Sequence, residues 1–117
     1  VYQTILTLHQ RNTQSLTVSQ KNQQTLYALA QTLNQNPSQQ IRIIGHTSNE
    51  GSREYNLALG WQQAQLIATT LNHYTDHPLN LSVVSYGQER PIMQGTSSLA
   101  NHNNARINID LSKDHHD

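Results

Sequence analysis

The sequence predicts a single two-layer α/β domain in which helices cover one face of a β-sheet. Two long segments carry apolar residues at three- and four-residue spacing, which is the period of an amphipathic helix. Short apolar or alternating segments, which are typical of strands, lie before, between and after these helices. A chain of 117 residues is long enough for one hydrophobic core but not for two.

The first 18 residues form the least regular part of the sequence. Ile5, Leu6 and Leu8 are compatible with a strand, and so are residues 16–18. We expect one strand in this N-terminal lead-in (1–18), a domain over residues 19–111, and a disordered tail over residues 112–117.

Ser19 is placed to cap the first helix, because its hydroxyl can accept a hydrogen bond from a free first-turn amide. The helix is predicted near residues 20–35, and its apolar stripe consists of Leu26, Leu29, Ala30 and Leu33. Pro37 disfavours a helical conformation at Asn36 and ends the helix. A short strand follows at residues 41–44, where a nearly continuous apolar run indicates burial on both faces.

The second helix is predicted over residues 54–73. Its apolar positions recur at helical spacing and are Leu57, Gly60, Trp61, Ala64, Ile67, Ala68 and Leu71. After a turn at residues 76–78, residues 81–86 form the next strand, which Gly87 closes. The alternation of Ala105, Ile107, Ile109 and Leu111 with polar residues predicts a half-buried last strand. The residues between these two strands are predicted to be a loop, so the order is βαβαββ.

Composition excludes several classes of function. Seven basic and seven acidic residues are scattered along the chain, whereas a nucleic-acid surface needs clustered Lys and Arg. Gln and Asn supply 27 of the 117 residues, so the polarity comes from amides rather than ions. The absence of cysteine excludes disulfides and thiolate metal sites. No apolar run reaches the roughly 18 residues of a membrane span. Because the sequence begins with Val1, we expect a mature fragment or an expressed domain, with any signal peptide or lipid anchor upstream.

Residues 45–60 carry the most informative motif. They read Gly-His-Thr-Ser-Asn-Glu-Gly-Ser-Arg-Glu-Tyr-Asn-Leu-Ala-Leu-Gly, directly after the strand at 41–44. Together with Asn-Ala-Arg-Ile at 104–107, this run resembles the OmpA-like domain family. These are peptidoglycan-binding modules of outer-membrane proteins, lipoproteins and flagellar stator proteins. The resemblance implies a mixed sheet with both helices on one face and a periplasmic, outer-membrane-associated location.

The resemblance also implies a binding site, from which this chain departs at two positions. In the family, an aspartate and a helix arginine clamp the diaminopimelate of a peptidoglycan stem peptide. Ser48 and Gln63 occupy those positions here, and both are neutral. Hydrogen bonds to charged groups are about twice as strong as neutral ones, so binding is expected to be weakened or lost. The positions carried over are His46, Thr47, Ser48, Gly51, Asn56, Leu59, Gln63 and Arg106.

Other charges are candidates to compensate for these losses. Glu50, Arg53 and Glu54 lie in the same loop, and Arg106 matches the second arginine of the family's late motif. Arg106 is the predicted surviving partner for a ligand carboxylate. We further predict that Ser48, Gln63 and Arg106 converge beside the Gly51 loop.

Catalysis and metal binding are both disfavoured by the sequence. His46 and Ser48 invite comparison with a Ser-His pair, but no carboxylate is obviously placed to orient the imidazole, and His46 is interpreted as structural. The Asp-His-His-Asp tail at 114–117 has metal-binding residue types at a chain end, where such residues are usually solvated. No paired carboxylates or cofactor motifs are found, so no enzyme, cofactor or metal is predicted.

The favoured function is therefore a non-enzymatic docking part of an envelope or secretion complex that has weakened or lost diaminopimelate binding. OmpA-like domains occur as lipoprotein subunits of secretion machines, including type IVB (Dot/Icm-like) systems. The alternative is a functional anchor that links the outer membrane or such a machine to peptidoglycan. The sequence names neither the partner complex nor the oligomeric state.

Overall fold

Seven elements follow one another in the computed structural model, which describes residues 1–9 and 17–113. They are β1 (Tyr2–Leu8), α1 (Gln20–Asn34), β2 (Gln40–His46), α2 (Arg53–Tyr74), β3 (Asn80–Gly87), α3 (Ser98–Asn104) and β4 (Arg106–Ser112). The predicted α/β class is confirmed. Along the described ranges, no helix is both long enough and apolar enough to cross a membrane.

The four strands form one mixed sheet in the order β1-β4-β2-β3. β4 pairs antiparallel with both β1 and β2, whereas β2 and β3 are parallel. A parallel pair needs a crossover connection, and α2 provides it. The carboxyl ends of β2 and β3 therefore meet at one edge, where the register aligns His46 with Gly87 and with Arg106 at the start of β4.

The core lies between this sheet and helices α1 and α2. Ile41, Ile43 and Ile109 point from the sheet toward the helices and are almost fully buried. The helices contribute most of the apolar residues that the 3.6-residue period predicts, namely Leu26, Leu29, Ala30, Leu33, Ala64, Ile67, Ala68 and Leu71. Leu57 and Trp61 of the predicted α2 stripe are instead about half exposed. The prediction of helices on one face of a mixed sheet is confirmed.

The opposite face of the sheet is built from polar contacts. The Arg42 guanidinium lies 3.3 Å from the Asp110 carboxylate, which also accepts a 2.6 Å hydrogen bond from the Thr4 hydroxyl. Arg42 also stacks over the Tyr2 ring, with its guanidinium carbon 4.2 Å from the ring centroid. Ile44 lies on this face and is also buried, as the continuous apolar run predicts.

Two details differ from the sequence-based expectations. The segment predicted to be a loop between β3 and β4 contains the seven-residue helix α3, whose Ser97 hydroxyl accepts a hydrogen bond from the Ala100 amide. The prediction failed because this asparagine-rich helix buries only Ala100 and Asn104 and therefore shows no apolar period. Of the alternative strand at 16–18, Thr17 and Val18 are not in a strand and residue 16 lies outside the described residues. The Ser19 cap is confirmed.

The N-terminal strand is β1, which pairs along its length with β4. β4 ends at Ser112, one residue beyond the predicted strand. The Asp-His-His-Asp tail at 114–117, which has metal-binding residue types, lies outside the described residues.

Helix α2 touches the sheet at backbone level. A Cβ atom built on Gly45 would overlap the carbonyl oxygen of Gly60, and one built on Gly60 would overlap the Ser85 hydroxyl. The Ser85 hydroxyl in turn donates a 2.7 Å hydrogen bond to the Leu57 carbonyl. Glycine at positions 45 and 60 therefore lets α2 lie directly on β2 and β3.

The Gly45→Ala substitution is expected to lower the free energy of unfolding by about 3 kcal/mol, because the added methyl group has backbone as its neighbour and cannot be accommodated by rotating a side chain. Urea unfolding followed by circular dichroism measures this loss. Gly95→Ala is the matched control. Gly95 has no atom within 4 Å of a built Cβ and has a φ of 98°, so only the strain of a left-handed residue, about 1 kcal/mol, is expected there. Equal losses in the two variants would contradict the close contact of α2 with the sheet.

Candidate functional site

Three strand ends and the loop that follows β2 form the candidate site. His46 ends β2, Gly87 ends β3, and Arg106 begins β4. The Thr47 amide donates a 2.9 Å hydrogen bond to the Gly87 carbonyl, which joins the two parallel strands one residue beyond β2. The β2–α2 loop and the β3–α3 connection consequently emerge side by side.

The β2–α2 loop is held by its own short contacts. The Thr47 hydroxyl donates to the Ser48 carbonyl at 2.8 Å. Gly51 has a φ of 87°, a left-handed backbone conformation that residues with a side chain rarely adopt. A Cβ atom built on Gly51 would lie 3.6 Å from the Asn56 side-chain oxygen. Ser52 caps α2 by accepting a 3.0 Å hydrogen bond from the Tyr55 amide. The loop therefore turns sharply onto the first turn of α2.

A cavity of about 130 Å³ lies between this loop and the β3–α3 connection. Its lining residues are Thr47, Asn49, Gln88, Pro91, Met93, Gln94, Gly95 and Asn104. None of these side chains carries a formal charge, and four of them are carboxamides. The cavity thus offers hydrogen-bond donors and acceptors rather than ions.

Two of the carboxamides build the cavity walls. The Asn104 side-chain oxygen accepts from the amides of Ile92 and Met93 at 2.8 and 3.0 Å, and its amide nitrogen donates to the Met93 carbonyl at 2.9 Å. Gln88 accepts a 2.7 Å hydrogen bond from the Asn56 side-chain amide. Asn104 therefore fixes the β3–α3 connection, and Gln88 joins that connection to α2.

Arg106 places a buried cation behind the wall. One guanidinium nitrogen donates to the Asn104 carbonyl at 3.0 Å, and the other donates to the Arg90 carbonyl at 3.1 Å. Burial lowers the pKa of this guanidinium from its ordinary value. Across residues 1–9 and 17–113, no carboxylate is close enough to form an ion pair with Arg106. Its positive charge is consequently not neutralised within the described protein.

His46 and Ser48 do not form a catalytic pair in this structure. The Asn108 amide nitrogen lies 3.5 Å from His46 Nε2, and the other ring nitrogen is buried without a hydrogen-bond partner in the described part of the chain. The Ser48 hydroxyl instead donates to the Glu50 carboxylate at 3.1 Å. Burial, together with the positive charges of Arg106 and Arg90, lowers the pKa of His46 to about 4. The imidazole is therefore neutral at pH 7, as a structural role requires.

The other predicted positions are distributed along α2. Asn56 contacts the loop, whereas Leu59 and Gln63 follow on the buried side of the helix. Gln63 is 5% exposed and lies seven residues, or roughly 10 Å of helix, beyond Asn56. The convergence of Gln63 with Ser48 and Arg106 stays a prediction.

Of the eight cavity-lining residues, the sequence identified only Thr47 as a site position, and the seven that it missed include Asn49, Gln88 and Asn104. Asn104 belongs to the motif at 104–107, and its place in that motif is the signal by which the sequence could have identified it as a site residue. Arg53, a candidate to compensate for the missing charges, pairs instead with Glu89 at 2.7 Å.

The chain matches known proteins over most of its length. A sequence model described as the OmpA family matches residues 10–106. The chain is 36% identical over 91 residues to a peptidoglycan-associated lipoprotein of Legionella pneumophila, an alignment that covers 78% of this chain and 52% of that protein. This chain therefore spans about half the length of that relative.

Solved structures share the fold. The peptidoglycan-associated lipoprotein from Burkholderia pseudomallei superposes with a TM-score of 0.83 at 28% identity, covering 91% of this chain and 89% of that one. The cell wall anchor of the T6SS from Pseudomonas aeruginosa superposes with a TM-score of 0.75 at 21% identity, covering 90% and 78% of the two chains. The second similarity concerns the fold alone.

The stability of the domain is expected to depend on the protonation of His46. Its pKa is about 4 in the folded state against 6.5 for the free group, so the unfolded state binds more protons between these values. Stability contributed by the neutral ring is present above pH 6.5 and falls by up to about 3 kcal/mol as the pH approaches 4. The His46→Gln variant should lack this component. Urea unfolding at pH 7.5 and pH 4.5 measures it, with the exposed His73→Gln variant as the control. If wild type and His46→Gln lose the same free energy of unfolding between pH 7.5 and pH 4.5, the assignment of this pH dependence to His46 is contradicted.

Proposed function

This chain belongs to the OmpA family, and from that premise we propose that it is a periplasmic, outer-membrane-associated domain that binds peptidoglycan without catalysing a reaction. The proposal concerns the domain alone, since the relative from Legionella pneumophila is about twice as long as the aligned region. It assigns to the strand-end cavity the role of receiving part of a peptidoglycan stem peptide.

The observation that carries this proposal is the pairing of a neutral cavity with a buried, uncompensated cation. A volume of 130 Å³ equals roughly four water molecules, which suits the end of one amino-acid residue. The carboxamides of Asn49 and Gln94 make no hydrogen bonds within the described residues and are available to amide groups of a peptide. The positive potential of Arg106 favours a carboxylate in the cavity. Stem peptides supply both kinds of group.

The proposed affinity is lower than that of family members with aspartate and arginine at the two departed positions. Ser48 and Gln63 are neutral and can form hydrogen bonds with a zwitterionic ligand but no ion pairs, whereas the charged pair would form both. The domain is therefore proposed to be a weakened anchor rather than a strong one.

A second candidate function is docking within an envelope or secretion complex without peptidoglycan binding. Leu57 and Trp61 favour it, because they lie one helical turn apart on the outer side of α2 and remain about half exposed. Together they give an apolar surface that a protein partner could cover. Binding to sacculi separates the two functions.

Co-sedimentation with purified sacculi is expected to retain a fraction of the wild-type domain, less than for a family member with both charges. Arg106→Gln should reduce this fraction about tenfold, since it removes the buried cation that a ligand carboxylate would face. Lys21→Gln, on the exposed side of α1, is the matched control for the loss of one positive charge. Thermal melts establish that each variant is folded. If no more wild-type protein sediments with sacculi than without them, the docking function is favoured.

The Ser48→Asp plus Gln63→Arg double change is expected to raise affinity for a soluble diaminopimelate-containing stem peptide by more than tenfold. Each single change should do less, since residues that contact the two ends of one ligand are non-additive. Calorimetric titration of all four proteins at fixed salt concentration measures the effect, because salt screens the charges. Since Gln63 is buried, melting temperatures must be compared first. Wild-type binding as tight as that of the double variant would show that charges already present compensate.

A further inference from the structure

We infer that Glu50, positioned by the Ser48 hydroxyl, is the specificity-determining residue that supplies a carboxylate to an ammonium group of the ligand. The inference rests on the proposed function and assigns a residue that the family motif does not contain. Three features of the loop and cavity support it.

The first feature is the position of the Glu50 carboxylate. The Ser48 hydroxyl donates to one of its oxygens at 3.1 Å, which brings a negative charge to the side chain of residue 48. The intervening residue, Asn49, lines the cavity, so Ser48 and Glu50 both flank a lining residue. One carboxylate oxygen makes no hydrogen bond within the described chain and is available to a ligand. The carboxylate absent at position 48 is in this way restored from position 50.

The second feature is that the Glu50 charge has no other use in the described residues. Three of the other four acidic side chains in the described ranges have nearby cationic or titratable partners: Glu89 contacts Arg53, Asp110 contacts Arg42, and Asp76 contacts His77. The fourth, Glu54, lies in the first turn of α2. Glu50 forms no ion pair in the described ranges, and its side chain is exposed. An exposed, unpaired carboxylate beside a cavity attracts a cation without first breaking an internal ion pair.

The third feature is the opposite charge on the other side of the cavity. Arg106 donates to the carbonyl of Asn104, which lines the cavity, and to the carbonyl of Arg90, which precedes the lining residue Pro91. Glu50 thus adjoins the lining residue Asn49 in the chain, and the guanidinium of Arg106 bonds the backbone of the other wall. This arrangement is complementary to an amino-acid end that carries an ammonium and a carboxylate together. Glu50 alone would select amines, and Arg106 alone would select carboxylates.

The identity of residue 48 fits this arrangement. An aspartate at 48 would place a second carboxylate where the serine hydroxyl now meets Glu50. Like charges at that separation repel, and a carboxylate at 48 could not donate the hydrogen bond that now positions Glu50. Serine at 48 and glutamate at 50 therefore act as a matched pair that presents one negative charge.

Moving the carboxylate between positions 48 and 50 tests the inference. The proteins are wild type, Glu50→Gln, Ser48→Ala and the double variant Ser48→Asp plus Glu50→Gln. Asp76→Asn, just beyond the far end of α2, is the control for one lost acidic residue. The ligands are the tripeptide L-alanyl-γ-D-glutamyl-meso-diaminopimelate and the same tripeptide acetylated on its side-chain amine. Binding is measured by calorimetry at low and at physiological salt.

Glu50→Gln should weaken binding of the free tripeptide about tenfold, and Ser48→Ala should weaken it about threefold. The double variant should recover the affinity, because it returns the carboxylate to position 48, and Asp76→Asn should match wild type. The acetylated tripeptide should bind wild type and Glu50→Gln equally, since it has no ammonium at that end.

Two negative results have different meanings. If Glu50→Gln binds the free tripeptide as tightly as wild type does, the role of Glu50 is overturned and the proposed function stays intact. No wild-type binding to either tripeptide or to sacculi would overturn the proposed function and this inference together.

Discussion

The backbone-level contact of α2 with β2 and β3 is the constraint on which the rest of the structure depends. Gly45 and Gly60 leave no room for a Cβ atom between helix and strand, and Ser85 bonds the helix backbone where they meet. The first turn of α2 is thereby fixed close to the strand ends. The β2–α2 loop has only a short distance to cross, which explains the left-handed conformation of Gly51. The geometry of the candidate site follows from how closely the helix approaches the sheet.

Charge is distributed so that the cavity itself stays neutral while its surroundings do not. Carboxamide side chains line the cavity, and each has both a hydrogen-bond donor and an acceptor. Two ion pairs use their charges locally: the exposed pair of Arg53 with Glu89 and the partly buried pair of Arg42 with Asp110. Glu50 and Arg106 lack such partners in the described residues. In the proposed roles of Glu50 and Arg106, a neutral site with two peripheral charges is expected to bind less tightly than one with charges in direct contact, and to prefer a zwitterionic ligand.

The elements predicted from the sequence are those with a strong apolar period or a clear terminal signal. Leu26, Leu29 and Leu33 predicted α1, and Ser19 predicted its start, because capping depends on the local sequence. Helix α3 was missed because it buries little apolar surface. The contact of Arg42 with Asp110 was missed because it joins residues 68 positions apart, a pairing that strand register alone decides.

The sequence by itself determined the fold class, the order of all elements except α3, and the loop that carries the candidate site. These follow from apolar periodicity, capping and a motif that is contiguous in the chain. Only the tertiary structure decided that Asn104 and Gln88 build the cavity walls, and that Arg106 lies buried behind them. These contacts depend on strand register and on the close approach of α2, which are set by the packing of distant residues and leave no local pattern in the chain.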